Sequence, residues 1–316
     1  YCTNDNSTKS SEIVISEIFD NLKDENIDCV VYSKNTLKGG YITKYILNVL
    51  NKKNFFLRAF SDFFFSLFIL RKQKIPSESI LIFYTPPPII PFVYLFLNYN
   101  LKNKKIIFVR DIFPLCMKKY LNYITYNFLD YMQNYVLKKG DKILIESISQ
   151  KLYFKNFKNV YEFKNPLNKK RISSIKFRKN RSASLINGIY FGNYGYQHQN
   201  KNFERFLDLS KKHNIFCKYF GPNSVSLNFS SKQNPIKFHL SSGVLKNISF
   251  QLVSVNDQVE TNPLPYKMIE LAALEIPPIF FASKKHYFHN EIKKFNMGLS
   301  VSTFEELIEL FTQDKY

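Results

Sequence analysis

At 316 residues with 45% hydrophobic side chains, the chain can bury two cores, which excludes a disulfide-stapled miniprotein and a disordered tail. Forty-five Lys and Arg against 25 Asp and Glu give a formal charge of +20, which reads either as the mark of an acidic partner (nucleic acid, an anionic membrane surface or phosphorylated substrates) or in part as a genome-wide lysine bias. Cys2, Cys29, Cys116 and Cys217 stand far apart with no histidines clustered beside them, so they read as reduced cytosolic thiols and exclude a zinc framework.

In chain order, no signal peptide opens the sequence. Tyr1-Cys2-Thr3 reads as the end of a strand, and Phe304–Tyr316 stops inside a helical pattern, so both ends are expected to be cut. Residues 10–25 carry Ile13, Val14, Ile18, Phe19 and Leu22 at helical spacing. A strand over 29–32 and a helix over 41–50 follow. Residues 54–70 form a Phe-rich helix, apolar nearly all round, which is expected to be buried or to lie on a membrane. The one long apolar run, 80–97, is interrupted by Pro86, Pro87, Pro88 and Pro91. It reads as strand (79–84), proline turn and helix (91–101) rather than a membrane span.

Strands over 104–109, 142–146 and 160–163 then alternate with helical segments over 122–138 and 147–154, which predicts βαβ units and a parallel sheet. Lys169–Ser184 is basic and Ser-containing, and reads as an interdomain linker. The alternation restarts with strands over 186–191, 216–220, 236–240 and 249–255, and a helix over 202–213. Pro265 then opens a helix running to Glu275, which Pro277 and Pro278 end before a buried strand over 279–282. A helix over 289–296, a strand over 299–301 and a last helix from Phe304 complete two α/β domains, 1–175 and 176–316, with a cleft between them fed by loops at strand carboxyl ends.

Four places carry candidate chemistry. Arg110-Asp111 ends a buried strand and reads either as a structural ion pair or as functional groups at the strand end where α/β folds keep them. Glu146 ends another strand and reads as a cap or a surface residue. Gly192-Asn193-Tyr194-Gly195 joins a strand to a helix: a plain turn, or backbone N–H groups brought close to a phosphate. His198, just beyond, reads as a surface residue that could meet an anion. Glu270, one turn inside its helix, is either an exposed carboxylate favoured by the helix dipole or a hydroxyl-binding group at a nucleotide pocket.

Taken together, these segments resemble family-4 glycosyltransferases of the kind that build bacterial polysaccharides and transfer aminosugars. Val109–Pro114 is similar to their Val-Arg-Asp-Leu-Trp-Pro segment, and Gly140–Ser149 to their Ala-Asp-x-Ile-Ile-x-Ser strand. Asn165-Pro166 is similar to the Asn-Pro before their crossover. Tyr190–Gly195 resembles their Tyr-x-Gly-Asn-x-Gly turn, and Pro265–Ile279 their Pro-Ser-Lys-Leu-x-Glu-Tyr-Leu-Ala-x-Gly-Lys-Pro-Val-Ile block. The set occurs in family order over nearly the whole chain. The sequence departs from the pattern at Asn262 where the family often has glutamate, at Glu275 where it has glycine, and at 196–198 where a cation usually follows the turn.

The resemblance implies a glycosyltransferase B fold, two Rossmann-like domains facing a cleft, with the donor on the second domain and the acceptor on the first. It implies that Gly192, Asn193 and Gly195 let the backbone near a diphosphate, that Pro265 and Lys267 face the donor's charged part, and that Glu270 accepts from ribose hydroxyls. Arg110 and Asp111 are implied as catalytic-side residues near the reacting carbon. It implies a retaining transfer with no metal and no cofactor, a nucleoside diphosphate sugar serving as donor substrate. The expected partners are that donor, a glycan or lipid-linked acceptor of capsule or lipopolysaccharide type, and an anionic membrane surface. The chain is then cytoplasmic, held peripherally at the inner face of the membrane through the Phe-rich helix and lysines of the first domain. The departures leave an alternative, a non-catalytic copy of the fold partnering an active transferase. With no helix-turn-helix, zinc-finger or RRM signature, nucleic acid is not an expected partner.

Overall fold

The computed structural model describes residues 30–33, 42–45, 75–85, 88–98, 102–115, 121–146, 148–164, 186–192, 198–210, 214–221, 227–233, 247–256 and 266–312, with single positions elsewhere. The chain divides into two compact units, Tyr1–Pro166 and Leu167–Tyr316. The basic segment 169–184 and the expected boundary at 175 lie outside the described residues.

In the first unit, β1 (Val30–Ser33) and β2 (Ile42–Tyr45) pair in parallel. The second of these falls where a helix is expected. Ile42 and Thr43 are β-branched and stiff at χ1, which favours a pleated strand over a helix. The main sheet has the order β3 (Leu81–Thr85), β4 (Lys105–Val109), β5 (Lys142–Ile145), β6 (Val160–Glu162), all parallel. The crossovers are α1 (Ile89–Leu97), α2 (Tyr123–Lys139) and a 3-10 helix (Ile148–Phe154). Asn122 caps α2, its side-chain oxygen accepting from the Thr125 N–H at 2.8 Å. One core packs Leu95, Ile107, Val109, Val136, Ile143 and Ile145 between sheet and helices. Another joins Ile89 and Val93 of α1 to Leu129 and Met132 of α2.

Among the described residues the second unit has six parallel strands. In chain order these are β7 (Ile186–Phe191), β8 (Ile215–Phe220), β9 (Ser231–Gln233), β10 (Phe250–Ser254), β11 (Pro278–Phe281) and β12 (Leu299–Val301). Their spatial order is β9-β8-β7-β10-β11-β12. Counted within the unit this is 3-2-1-4-5-6, the doubly wound dinucleotide-binding order, with its switch point between β7 and β10. Every residue of β10 and β11 is buried, as strands covered on both faces require. The helices described in full are α3 (Lys201–Ser210), α4 (Tyr266–Ala273), α5 (Phe288–Lys294) and α6 (Phe304–Thr312). The expected strand over 236–240 lies outside the described residues.

Candidate functional site

The two sheets end differently at their carboxyl edges. In the first unit, β4 runs into Arg110 and β5 into Glu146. The Arg110 Nε donates to Glu146 Oε1 at 2.7 Å, with both side chains largely removed from solvent. Glu146 is therefore neither a surface group nor a cap. Its own N–H donates to Oε1 of the buried Gln150 at 3.1 Å. Adjacent parallel strands bring residues 110 and 146 side by side, in register Val109↔Ile145; a linear reading had only Asp111 beside Arg110. Burial pushes the Asp111 carboxyl above its ordinary range, and the Arg110 guanidinium beside it offsets part of that rise. The result is a cation fixed by one carboxylate next to a second carboxyl group that holds its proton more tightly than usual.

In the second unit, the edge at the switch point is built from backbone and neutral side chains. Gly192 follows β7 with φ +112°, a conformation open to glycine and strained for other residues. Its N–H donates to the Phe220 carbonyl at 3.0 Å, and a side chain at its Cα would meet nothing within 4 Å. Gly221, by contrast, has no room for a Cβ, which would collide with the Gly192 carbonyl and the Tyr219 hydroxyl. Gly192 is thus tightly backed by β8, with open space beyond its Cα.

The end of β10 is tied to the loop after this turn. His198 Nδ1 bonds the Ser254 carbonyl at 2.8 Å, and the Ser254 hydroxyl donates to the His198 carbonyl at 2.6 Å. A carbonyl only accepts, so Nδ1 carries the proton, and Nε2 of the neutral ring is an acceptor. Burial holds the His198 pKa below its usual value, while the Ser254 contact acts in the other direction. His198 is therefore a fixed, mostly neutral group spanning the switch point, where a surface position was expected.

Asn200 completes the tie and was missed. Its Oδ1 caps α3, accepting from the N–H groups of Asn202 and Phe203 at 3.0 and 3.1 Å, and its Nδ2 donates to the Val255 carbonyl at 3.0 Å. An asparagine two residues before a predicted helix start is the signal that could have marked it.

Glu270 lies on α4 and is only 3% exposed, so the exposed-carboxylate reading fails. Met268 of α4 packs with Val253 and Val255 at the carboxyl end of β10. Leu271 joins a cluster with Ile189 and Phe220, which Phe191 borders. This brings α4 against the two strands that lead to the switch point. Buried Gln251 on β10 fixes the helix further, its Nε2 donating to the carbonyls of Met268 and Ile276 at 2.9 and 3.0 Å. Lys267 is on the same helix, though its side chain lies outside the described atoms, and Asn193, Gly195 and Pro265 lie outside the described residues altogether.

Two parallel sheets, each with helical crossovers and the second in dinucleotide-binding order, define a protein of two Rossmann-like domains. The solved structures it is similar to place it more narrowly. It is similar to the sucrose-phosphate synthase of Thermosynechococcus elongatus, with a TM-score of 0.63, 12% identity, and coverage of 96% of this chain and 84% of that one. It is similar to Anabaena HepE in complex with UDP, with a TM-score of 0.60, 9% identity, and coverage of 96% and 86%. It is also similar to the apo form of the lipopolysaccharide outer core galactosyltransferase WaaB, with a TM-score of 0.53, 16% identity, and coverage of 87% and 77%. No family model and no curated protein matches the sequence. The chain has the glycosyltransferase B fold.

Proposed function

We propose that this chain is a glycosyltransferase that moves a sugar from a nucleoside diphosphate donor to a growing, lipid-linked surface glycan. The observation that carries the reading is the glycine turn at the switch point between β7 and β10, in a fold shared with a protein solved in complex with UDP. Open sheets of this order bind nucleotides at that crevice. Gly192 is closed behind and has open space in front of its Cα, the room a diphosphate would need to come close to the main chain. Gly192, Asn193 and Gly195 approach the diphosphate, with Pro265 and Lys267 facing the donor's charged end. Glu270, held in the packed α4 helix, accepts from the ribose hydroxyls.

On the first unit, Arg110 and Asp111 stand on the acceptor side, near the carbon that changes partners. Fixed cationic and backbone donors stabilise a leaving diphosphate without reorganisation, the work a metal does elsewhere; the retaining, metal-independent course of the transfer is carried over from the family resemblance alone. A lipid-linked acceptor places the chain peripherally at the cytoplasmic face of a membrane.

Isothermal titration of the folded chain with UDP and GDP tests the reading; heat from neither nucleotide removes it. Glu270→Gln is expected to weaken nucleotide binding by about 1.5–3 kcal/mol, or roughly tenfold to a hundredfold, with the circular dichroism spectrum unchanged. Undiminished affinity in that variant would withdraw the role of Glu270.

A further inference from the structure

Helix α2 has two apolar stripes, and its own unit uses one of them. Leu129, Met132, Val136 and Leu137 face the core. Ile124, Phe128 and Tyr131 recur at helical spacing on another face and are 79%, 59% and 58% exposed, with Tyr123 beside them at 81%. Helix α1 widens the patch. Its Phe92 packs edge-on to Tyr131 and Tyr135 with ring centroids at 6.2 and 5.3 Å, and stacks on Phe96, which is exposed together with Leu97. The Phe-rich helix is described only in part. Leu67 packs on the core shared by α1 and α2, while Phe63 and Phe64, expected to be buried or membrane-bound, face outward. Monomeric proteins seldom leave so many contiguous aromatics in water without a partner for them.

We infer that this α1–α2 face docks on an anionic lipid bilayer. Charge selects the occupant. Exposed Lys138 and Lys139 close the last turn of α2, the Lys139 ammonium sitting 5.7 Å from the centre of the Tyr135 ring. Lysines at the end of an aromatic and aliphatic stripe keep their charge among headgroups while the rings enter the acyl boundary. A second copy of a chain carrying +20 would be repelled, whereas an anionic surface attracts it. Tyrosine rings, apolar in body and polar at the tip, suit the same depth. No helix among the described residues is long and apolar enough to cross a membrane, so this is contact from one side by the residues described. The inference extends the membrane part of the reading above and rests on that part alone.

The chain contains no tryptophan, so Phe128→Trp gives one fluorophore on the stripe. Its emission is expected to shift to the blue with vesicles of phosphatidylcholine and phosphatidylglycerol, and not with phosphatidylcholine alone. In flotation, the combined Ile124→Ser, Phe128→Ser and Tyr131→Ser variant is expected to lose about tenfold or more in partition, with native circular dichroism and unaltered nucleotide titration. Lys138→Glu with Lys139→Glu, conservative of the stripe, is expected to lower partition and its salt sensitivity. Emission unmoved on anionic vesicles, equal partition to neutral ones, or a stripe variant that floats like its parent each overturns the inference. So does a sedimentation dimer that the stripe substitutions dissociate, which would give the face to a second copy. Loss of nucleotide binding in the parent chain is read separately and bears on the donor site alone.

Discussion

The carboxyl edges of the two sheets solve the same placement problem with different materials. In the first unit the edge is held by charge: Arg110 is fixed at 2.7 Å by the buried carboxylate of Glu146, with Asp111 alongside. In the second it is held by main chain and neutral groups: a left-handed glycine, the paired His198–Ser254 contacts and the Asn200 cap. A buried charge holds one geometry strongly, but removing either partner is costly. A backbone edge is cheaper to disturb residue by residue, and it holds no counter-charge that an incoming anion must displace. In the proposed reading, the second edge faces the diphosphate and the first the reacting carbon.

The largest test of this contrast is Glu146→Ala. It takes from the largely buried Arg110 guanidinium the carboxylate that it donates to at 2.7 Å, and should cost about 3–5 kcal/mol in urea unfolding of the full chain. Joining it to Arg110→Met should recover most of that loss, because the two charges leave together. A loss under about 1 kcal/mol for the single variant would mean the pair behaves as a surface bridge, and the contrast would fail on its charged side.

Gly192→Ala is the counterpart in the second unit. The front of the turn is empty, so no clash arises, and the cost is conformational, about 1–3 kcal/mol for a non-glycine residue at φ +112°. Nucleotide affinity should fall with it if the turn faces the donor. Full stability in this variant would show that the turn relaxes to negative φ without penalty.

Acid should act on the two edges with opposite signs. The His198 pKa is lowered by burial, so its contribution to stability is present above about 6.5, the unfolded value, and is lost as pH falls towards the folded one. The Asp111 pKa is raised by burial, so the folded state holds that proton more tightly. Its contribution is present below the unfolded value of 3.8 and is lost as pH rises through the folded one. Urea midpoints from about pH 7.5 to 4.5 should therefore fall less steeply on acidification in His198→Gln, and more steeply in Asp111→Asn, than in the parent. Parallel slopes in all three proteins would remove the titration difference between the edges.

How much of this the sequence disclosed follows the range of the interactions. Elements set by local pattern were legible: β7 begins and ends where the apolar run predicts, and so does β12. The proline-bounded α4–β11 block fell within a residue or two of its predicted bounds. The turn at Gly192 could be seen because a glycine between strand and helix has a local cause. The partnership of Arg110 with Glu146 spans 36 residues and depends on strand order, which no spacing encodes. His198 and Ser254 are 56 residues apart and meet only because β7 and β10 are neighbours at the switch point. The helix expected over 41–50 gives way to strand at β2 because pairing with β1 outweighs an apolar spacing that also fits a helix.

The smallest test concerns the end of α4, where glycine was expected and glutamate stands. Glu275 adopts φ +60°, its N–H donating to the Ala272 carbonyl at 3.0 Å and the following Ile276 N–H to Leu271 at 2.9 Å. This is the paired closure that normally ends on glycine. Helix α5 closes the same way at Asn296, φ +47°, with a residue type that tolerates the left-handed region. Glu275→Gly relieves about 1–2 kcal/mol of left-handed strain and gives back about 0.4–1 kcal/mol in added freedom of the unfolded chain, leaving a net gain of about 0.5–1 kcal/mol. The gain is readable as a higher urea midpoint at unchanged slope. The same change at Asn296 should yield less, since asparagine bears less of that strain. If both variants gave equal shifts, the strain of a left-handed backbone would not be what sets apart these two helix ends.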